Sequence, residues 1–251
     1  MAADSITYTL AGAVIGLIGT QAGNWIKVHI DRANARSTER ERAHLEFLDP
    51  LQYAASDLRE QLAGISQKLA VEASLAENDL QPGQHVRWWF RAYKDYVVNS
   101  WPNANESAWK HEISMHAGGM GYHAASTLYL TARYLFYSTR ARNARPYVML
   151  NGGSQKAYDR LEEVRESFAQ LEFYPVTQDT TGALLKGSDG LPLSFDQFMT
   201  RLGNSEDRGW LLTLTDVYFK IHNHLEGLGK FEQSLGALGS ALQNHRARLA
   251  K

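Results

Sequence analysis

Much of the chain shows the repeat of apolar residues that is typical of amphipathic helices. Between residues 51 and 69, apolar side chains recur at alternating intervals of four and three, which places them on one helix face. They are Leu51, Ala55, Leu58, Leu62, Ile65 and Leu69. Similar spacing predicts helices over 122–144, 154–171 and 211–249, with His245 in one apolar slot of the last. The pattern therefore predicts an all-α fold, a helical bundle with long antiparallel helices.

Proline and serine residues indicate where several helices begin. Asp49-Pro50 marks a break, and Pro50 suits the first turn of a new helix. Ser154 and Ser194 are each placed to cap a helix that follows, the second of them a short one. The segment 172–194 contains turn signals and no helical repeat, so it is predicted to be non-helical, with a short hairpin between its turns.

The N-terminal segment differs from the rest because it carries no charge. From Ile6 to Trp25 there is no charged residue, a span of about 20 residues that would cross a bilayer core as a helix. No Lys or Arg precedes the segment and several follow it, so the positive-inside rule leaves the C-terminal side in the cytoplasm. The predicted interface residues are Trp25, Lys27, Arg32 and Arg36. We expect a single-pass protein of the bacterial inner membrane.

Two other interpretations of this segment remain open. A cleaved signal peptide also has a short apolar run, but its basic residues come before that run, whereas here they follow. A helix buried inside a soluble oligomer would likewise carry no charge. Glycines permit close packing in that setting too.

Four glycines of the segment share one helix face. Gly12, Gly16, Gly19 and Gly23 are spaced four, three and four residues apart. In a membrane, such a stripe lets a second backbone approach closely and gain dispersion contacts. We therefore expect a homo-oligomer that associates through this face.

These patterns divide the chain into three regions. Residues 1–30 are predicted to be the N-terminal membrane helix. Residues 31–48 are rich in Arg and Glu and contain neither Gly nor Pro, which predicts a charged helical linker. Residues 49–251 are predicted to be the cytoplasmic helical bundle domain.

Composition narrows the classes of function. The chain has no cysteine, which excludes disulfides, thiolate metal sites and cysteine nucleophiles. A net charge of −1 gives no reason to expect nucleic acid as a partner. His111, His116 and His123 are the densest set of metal-ligating side chains, but their spacing does not bring three ligands together. No metal, cofactor or catalytic residue is predicted.

Two features remain as candidates for binding. His116, His123 and Tyr129 are predicted to line a pocket inside the bundle, because bundles build sites from facing side chains. Four arginines, together with the basic run after the anchor, suit a positive surface for anionic lipid. They are Arg133, Arg140, Arg142 and Arg145. The alternative interpretation of these arginines is a solvated helix end that complements the helix dipole.

Three stretches carry a resemblance to other proteins. They are FLDPLQYAASDLREQL (Phe47 to Leu62), STLYLTARYLFYSTRAR (Ser126 to Arg142) and LPLSFDQFMTRL (Leu191 to Leu202). In these stretches, and in the order of its regions, the chain resembles uncharacterised bacterial proteins with a glycine-rich N-terminal transmembrane helix and an all-helical cytoplasmic domain. The resemblance implies that topology and implies no activity.

Three functions are consistent with these expectations. The first is a membrane-tethered scaffold that recruits or assembles a protein partner and binds membrane lipid through its anchor. The second is a membrane-acting effector, for example in phage defence, whose anchor clusters on activation. The third is a helical-bundle ligand sensor or enzyme. The lack of a catalytic pattern favours the first.

Overall fold

Helices make up almost all of the protein that the structure describes. The structure is a computed structural model that describes residues 35, 37–74, 120–150, 154–201, 213–218 and 225–249. These residues contain helices and no strand, which confirms the all-α prediction for this part of the chain. None of the helices within these ranges is both long and apolar enough to cross a bilayer.

The helices are named in chain order. They are α1 (Asp49–Ser74), α2 (Met120–Asn143), α3 (Arg145–Leu150), α4 (Gln155–Gln170), α5 (Pro175–Leu184), α6 (Phe195–Arg201) and α7 (Leu225–Leu249). Residues 213–218 are also helical. Helix α7 packs against both α1 and α4, while α1 also packs against α2, and α2 against α5.

The predicted apolar faces form the core. All six residues predicted for the face of α1, from Leu51 to Leu69, are buried. The predicted cap Ser154 is confirmed, since its Oγ accepts a hydrogen bond from the Ala157 N–H at 3.3 Å. Ser194 caps α6 in the same way, through the Gln197 N–H at 3.3 Å. Hydrophobic periodicity and cap residues therefore located these helices correctly.

The prediction of a non-helical segment over 172–194 is wrong, because α5 occupies its centre. Pro175 stands at the start of α5, where its missing N–H costs no helical hydrogen bond. The buried Gln178 side chain donates to the backbone oxygens of Phe173 at 2.7 Å and Arg165 at 3.0 Å. These tertiary contacts outweigh the weak helix propensity of the threonine-rich sequence. The expected hairpin is a single antiparallel bridge between Lys186 and Pro192.

The break predicted at Asp49-Pro50 takes the form of a change in helix type. Residues 37–43 are helical, His44–Leu48 form a π-helical turn, and α1 continues directly from it. Pro50 has no N–H to donate, which removes one α-helical hydrogen bond at this point. Ala43, His44 and Leu48 are buried. Among the described residues, the core therefore begins at Ala43, inside the region predicted to be a linker.

Helices α2 and α5 approach each other closely at Gly182. A Cβ atom at Gly182 would lie 2.8 Å from the backbone carbon of Leu135 and 2.9 Å from its oxygen. Backbone atoms cannot move aside without shifting a helix, so Gly182→Ala is expected to lower the free energy of unfolding by about 1–3 kcal/mol. Urea denaturation followed by circular dichroism measures the change.

The matched control is Gly239→Ala in α7, where a Cβ would meet nothing within 4 Å. Alanine favours a helix over glycine, so this variant is expected to be more stable by about 1 kcal/mol. Equal changes in the two variants would contradict the close packing of α2 against α5.

Candidate functional site

A cluster of polar side chains lies where the π-helical turn meets the C-terminal part of α7. His44 and Asp49 are five residues apart, and in an α-helix they would point about 140° away from each other. In the π-helical turn, the Asp49 N–H donates to the His44 backbone oxygen, which aligns the two residues. Their side chains consequently meet, with His44 Nε2 2.9 Å from Asp49 Oδ1.

Helix α7 adds a second imidazole and a guanidinium to this cluster. The His245 ring centre lies 5.3 Å from that of His44, with the ring planes tilted by 53°. The Arg246 guanidinium is 3.5 Å from Asp49 Oδ2. The side chains of His44 and Asp49 are only 5% and 9% exposed, whereas that of Arg246 is 50% exposed.

The buried groups of this cluster are incompletely satisfied. His44 Nε2 and Asp49 Oδ1 are in direct polar contact. His44 Nδ1, by contrast, has no hydrogen-bond partner among the described residues. A buried polar atom without a partner costs about 1–3 kcal/mol. Native proteins place such atoms where a water, an ion or a function accounts for them.

Burial also sets the protonation of the two imidazoles. Desolvation lowers the pKa of His44, which Asp49 partly offsets and the Arg246 charge lowers further. Desolvation likewise lowers the pKa of His245, and the nearby His44 and Arg248 add to the effect. Both rings are therefore neutral at pH 7. Within the described ranges, no three His, Asp or Glu residues are placed to hold a metal ion.

A cavity of about 550 Å³ opens beside the cluster. One wall comes from the helical residues 37–41 and the π-helical turn, and the other from the end of α7. The lining residues are Ser37, Arg40, Glu41, His44, Leu45, Arg246, Arg248 and Leu249. A desolvated imidazole and three arginines thus line one cavity.

Most of the residues predicted from the sequence to form sites lie outside the described residues. This holds for the stripe Gly12, Gly16, Gly19 and Gly23, for the interface residues Trp25, Lys27, Arg32 and Arg36, and for His116. The backbone of His123 is part of α2, but its side chain lies outside the described part. Of the predicted pocket, the structure describes only the Tyr129 side chain.

Tyr129 has a packing role in the structure. Its hydroxyl donates to the Leu193 backbone oxygen at 3.1 Å, just before α6 begins. Its ring packs against Phe195 and Phe198, with ring centres 5.4 and 5.5 Å away. Burial raises the pKa of the Tyr129 phenol. These contacts hold α6 against α2. Because His116 and the His123 side chain lie outside the described residues, the predicted pocket stays a prediction.

Each of the four arginines predicted to form a positive surface contacts another residue that the structure describes. The partners are Asp57 for Arg133 at 2.8 Å, Glu46 for Arg140 at 3.2 Å, Asp179 for Arg142 at 3.0 Å, and Gln155 with the Tyr158 ring for Arg145. These arginines therefore make contacts between helices or within one helix. The structure favours a structural role for these arginines over an open lipid-binding surface.

Sequence reasoning did not identify the cluster at the π-helical turn. The one signal was His245, a polar residue in an apolar slot of the last helix. His44 and Asp49 gave none, because ordinary α-helical spacing separates them. Arg40 counted only as part of the basic run after the anchor, and no pattern in the sequence singled out Arg246 or Arg248.

Comparisons with protein-family models, with curated proteins and with solved structures each find no match to this chain. The resemblance to bacterial proteins with a glycine-rich membrane helix therefore stays a prediction. The function is therefore inferred from the sequence and structure of this chain.

Proposed function

We propose that this chain is a membrane-tethered helical scaffold, which self-associates through its N-terminal segment and assembles a protein partner at the bacterial inner membrane. One observation carries the proposal. In the described residues, the charged groups between helices hold those helices together. A scaffold requires such a rigid framework.

The network around Asp179 is the main example of this use of charge. Asp179 Oδ1 is 3.0 Å from Arg142 of α2, and Oδ2 is 3.1 Å from Arg165 of α4. Thr139 of α2 donates to Oδ1 at 3.0 Å. A single carboxylate of α5 thereby joins three helices.

Other polar contacts connect helices that are distant in sequence. The Thr131 and Tyr218 hydroxyls form a buried hydrogen bond of 2.6 Å. The Tyr158 hydroxyl donates to the Ala141 backbone oxygen at 3.0 Å. Because buried hydrogen bonds are directional, they specify one arrangement of the helices. This supports a bundle that presents fixed surfaces to a partner.

The tether and the self-association depend on the N-terminal sequence. The uncharged stretch from Ile6 to Trp25 has the length of a membrane helix, and the basic residues after it set its orientation. The glycine stripe supplies a face for close helix contact. In this proposal the helical bundle stays on the cytoplasmic side.

Self-association is tested by disulfide formation, because the natural chain contains no cysteine. On a helix, Ser5 lies on the face of the glycine stripe and Thr7 lies about 200° around from it. Full-length Ser5→Cys, oxidised in its native membrane, is expected to give a covalent dimer on a non-reducing gel. Full-length Thr7→Cys is the matched control and is expected to stay monomeric.

A second pair of variants shows whether the glycines cause the association. Adding Gly16→Leu to Ser5→Cys is expected to abolish the dimer, because the leucine side chain separates the two backbones. Equal cross-linking of Ser5→Cys and Thr7→Cys, or a dimer unaffected by Gly16→Leu, would refute association through this face.

A further inference from the structure

The cavity beside His44 and His245 has the charge of an anion site. It is lined by Arg40, Arg246 and Arg248, against the single acidic residue Glu41. Asp49 does not line the cavity, but it pairs with the lining residue Arg246 at 3.5 Å. With both imidazoles neutral, three cations face two carboxylates, which leaves one net positive charge. Among the described residues, no ion pair engages Arg40 or Arg248.

The buried imidazole is an independent sign of a ligand. The His44 side chain is only 5% exposed, and it lines the cavity with Nε2 held by Asp49 and with no hydrogen-bond partner for Nδ1. A bound oxyanion would favour protonation of the neutral imidazole and would then accept a hydrogen bond from its Nδ1–H. It would also accept from the two arginines that no described carboxylate engages. The same ligand thereby satisfies the buried group and the cations.

We propose that this cavity binds a phosphate group, held by Arg40 and Arg248 with His44 behind them. Planar guanidinium groups suit phosphate because they donate two parallel hydrogen bonds to it. The Ser37 hydroxyl is a further donor in the lining. A volume of about 550 Å³ accommodates a phosphate with an attached organic group.

Two sources supply this chemistry, a phospholipid headgroup and a free phosphate compound. Ser37 is twelve residues after Trp25, a distance of about 18 Å if that stretch is helical. The headgroup layer is about 5–8 Å thick on each side of a bilayer, so a lipid headgroup reaches the cavity if Trp25 lies at the interface and the stretch after it runs along the membrane surface. The lipid source rests on the proposed tether, whereas the free-phosphate source does not.

The test uses the full-length chain in nanodiscs of phosphatidylcholine, which bears no net charge. Inorganic phosphate is titrated in by calorimetry, and in a second arm the discs contain phosphatidylglycerol. Occupancy by a headgroup is expected to suppress the phosphate titration in the second arm. Titration in the first arm with no suppression in the second assigns the site to free phosphate. Either result supports the site, and the two results distinguish the source.

Arginine variants locate the binding. Arg40→Gln with Arg248→Gln is expected to weaken phosphate binding by about tenfold or more, because two charged hydrogen-bond donors are lost. Both residues are exposed, so the variant keeps its core. The control is Arg160→Gln, which removes an arginine that pairs with Glu163 on α4. No titration in either type of disc, or equal weakening in the control, would overturn the proposal.

A pH series distinguishes anion binding in the cavity from anion binding to surface charges elsewhere on the protein. Sulfate is the probe, because it does not titrate in the range where phosphate and histidine do. An anion beside the imidazoles raises the pKa values that burial and the Arg246 and Arg248 charges lower. Sulfate is therefore expected to bind more tightly as the pH falls from about 8 to about 6. The double variant His44→Gln, His245→Gln is expected to lose that dependence, and its persistence would count against the site.

Discussion

Phe168→Ala is expected to lower the free energy of unfolding by about 3–5 kcal/mol, because it empties the centre of the core. Phe168 is 1% exposed, and its ring centre lies 4.1 Å from that of Phe231 in α7. The rings of Phe173 and Tyr134 lie further out, with centres at 5.7 and 6.3 Å. One side chain thus connects α4 to two other helices and to the turn after α4. A drop in melting temperature of about 10 °C corresponds to this loss.

Denaturation of full-length protein in mild detergent, followed by circular dichroism, measures the effect. The matched control is Tyr174→Ala, an aromatic residue that is 62% exposed and only six residues away in the chain. Its expected change is within about 0.5 kcal/mol. A Phe168→Ala variant as stable as Tyr174→Ala would show that α4 and α7 do not pack around this ring.

Asp179→Ala is expected to cost about 1.5–3 kcal/mol, the range for lost hydrogen bonds to charged groups. The Arg142 and Arg165 side chains are only 18% and 22% exposed. Removal of the carboxylate therefore leaves two mostly desolvated cations with the more distant Glu162, at 3.7 and 3.9 Å, as their remaining carboxylate partner. Asp179 itself is 35% exposed, and solvent keeps the cost below that of a fully buried pair. Asp179→Asn retains one acceptor and is expected to fall between the wild type and Asp179→Ala.

The comparison variant is Glu163→Ala, which removes the surface partner of Arg160 within α4. A surface pair of this kind contributes at most about 1 kcal/mol, and added salt weakens it further. If Asp179→Ala cost no more than Glu163→Ala at every salt concentration, the carboxylate would not be joining three helices.

Long helices with a regular apolar face could be predicted from the sequence. Helix α1 is the clearest case, because its repeat from Leu51 to Leu69 corresponds to one buried face. Helix α4 was located by its cap at Ser154 and its apolar repeat. In both, local pattern and tertiary packing favour the same conformation, so local information suffices.

Helix α5 could not be predicted, because its stability comes from contacts beyond its own sequence. Gly182 and the threonines of α5 weaken a helix locally, and only its fit against the Leu135 backbone makes that glycine necessary. The π-helical turn is a second case. In an α-helix, residues five apart point in different directions, but in the π-helical turn they lie on the same side. His44 and Asp49 therefore come together.

The candidate cavity needed the structure for a related reason. Its two walls are more than 190 residues apart in the chain, since Leu45 lies in one and Arg246 in the other. No short motif connects residues at that separation. The anchor is the reverse case, because its prediction comes entirely from length, charge and glycine spacing in the sequence.

Carbonate extraction of membranes from cells that express the full-length chain tests the membrane tether most directly. The proposal predicts that the wild type stays in the membrane pellet. The variant Val14→Arg, Ile18→Arg places two charges in the segment, at about 2.5–3.5 kcal/mol each, and is expected in the supernatant. The conservative variant Val14→Leu, Ile18→Leu is expected to stay in the pellet. A wild-type chain released by carbonate would contradict the tether.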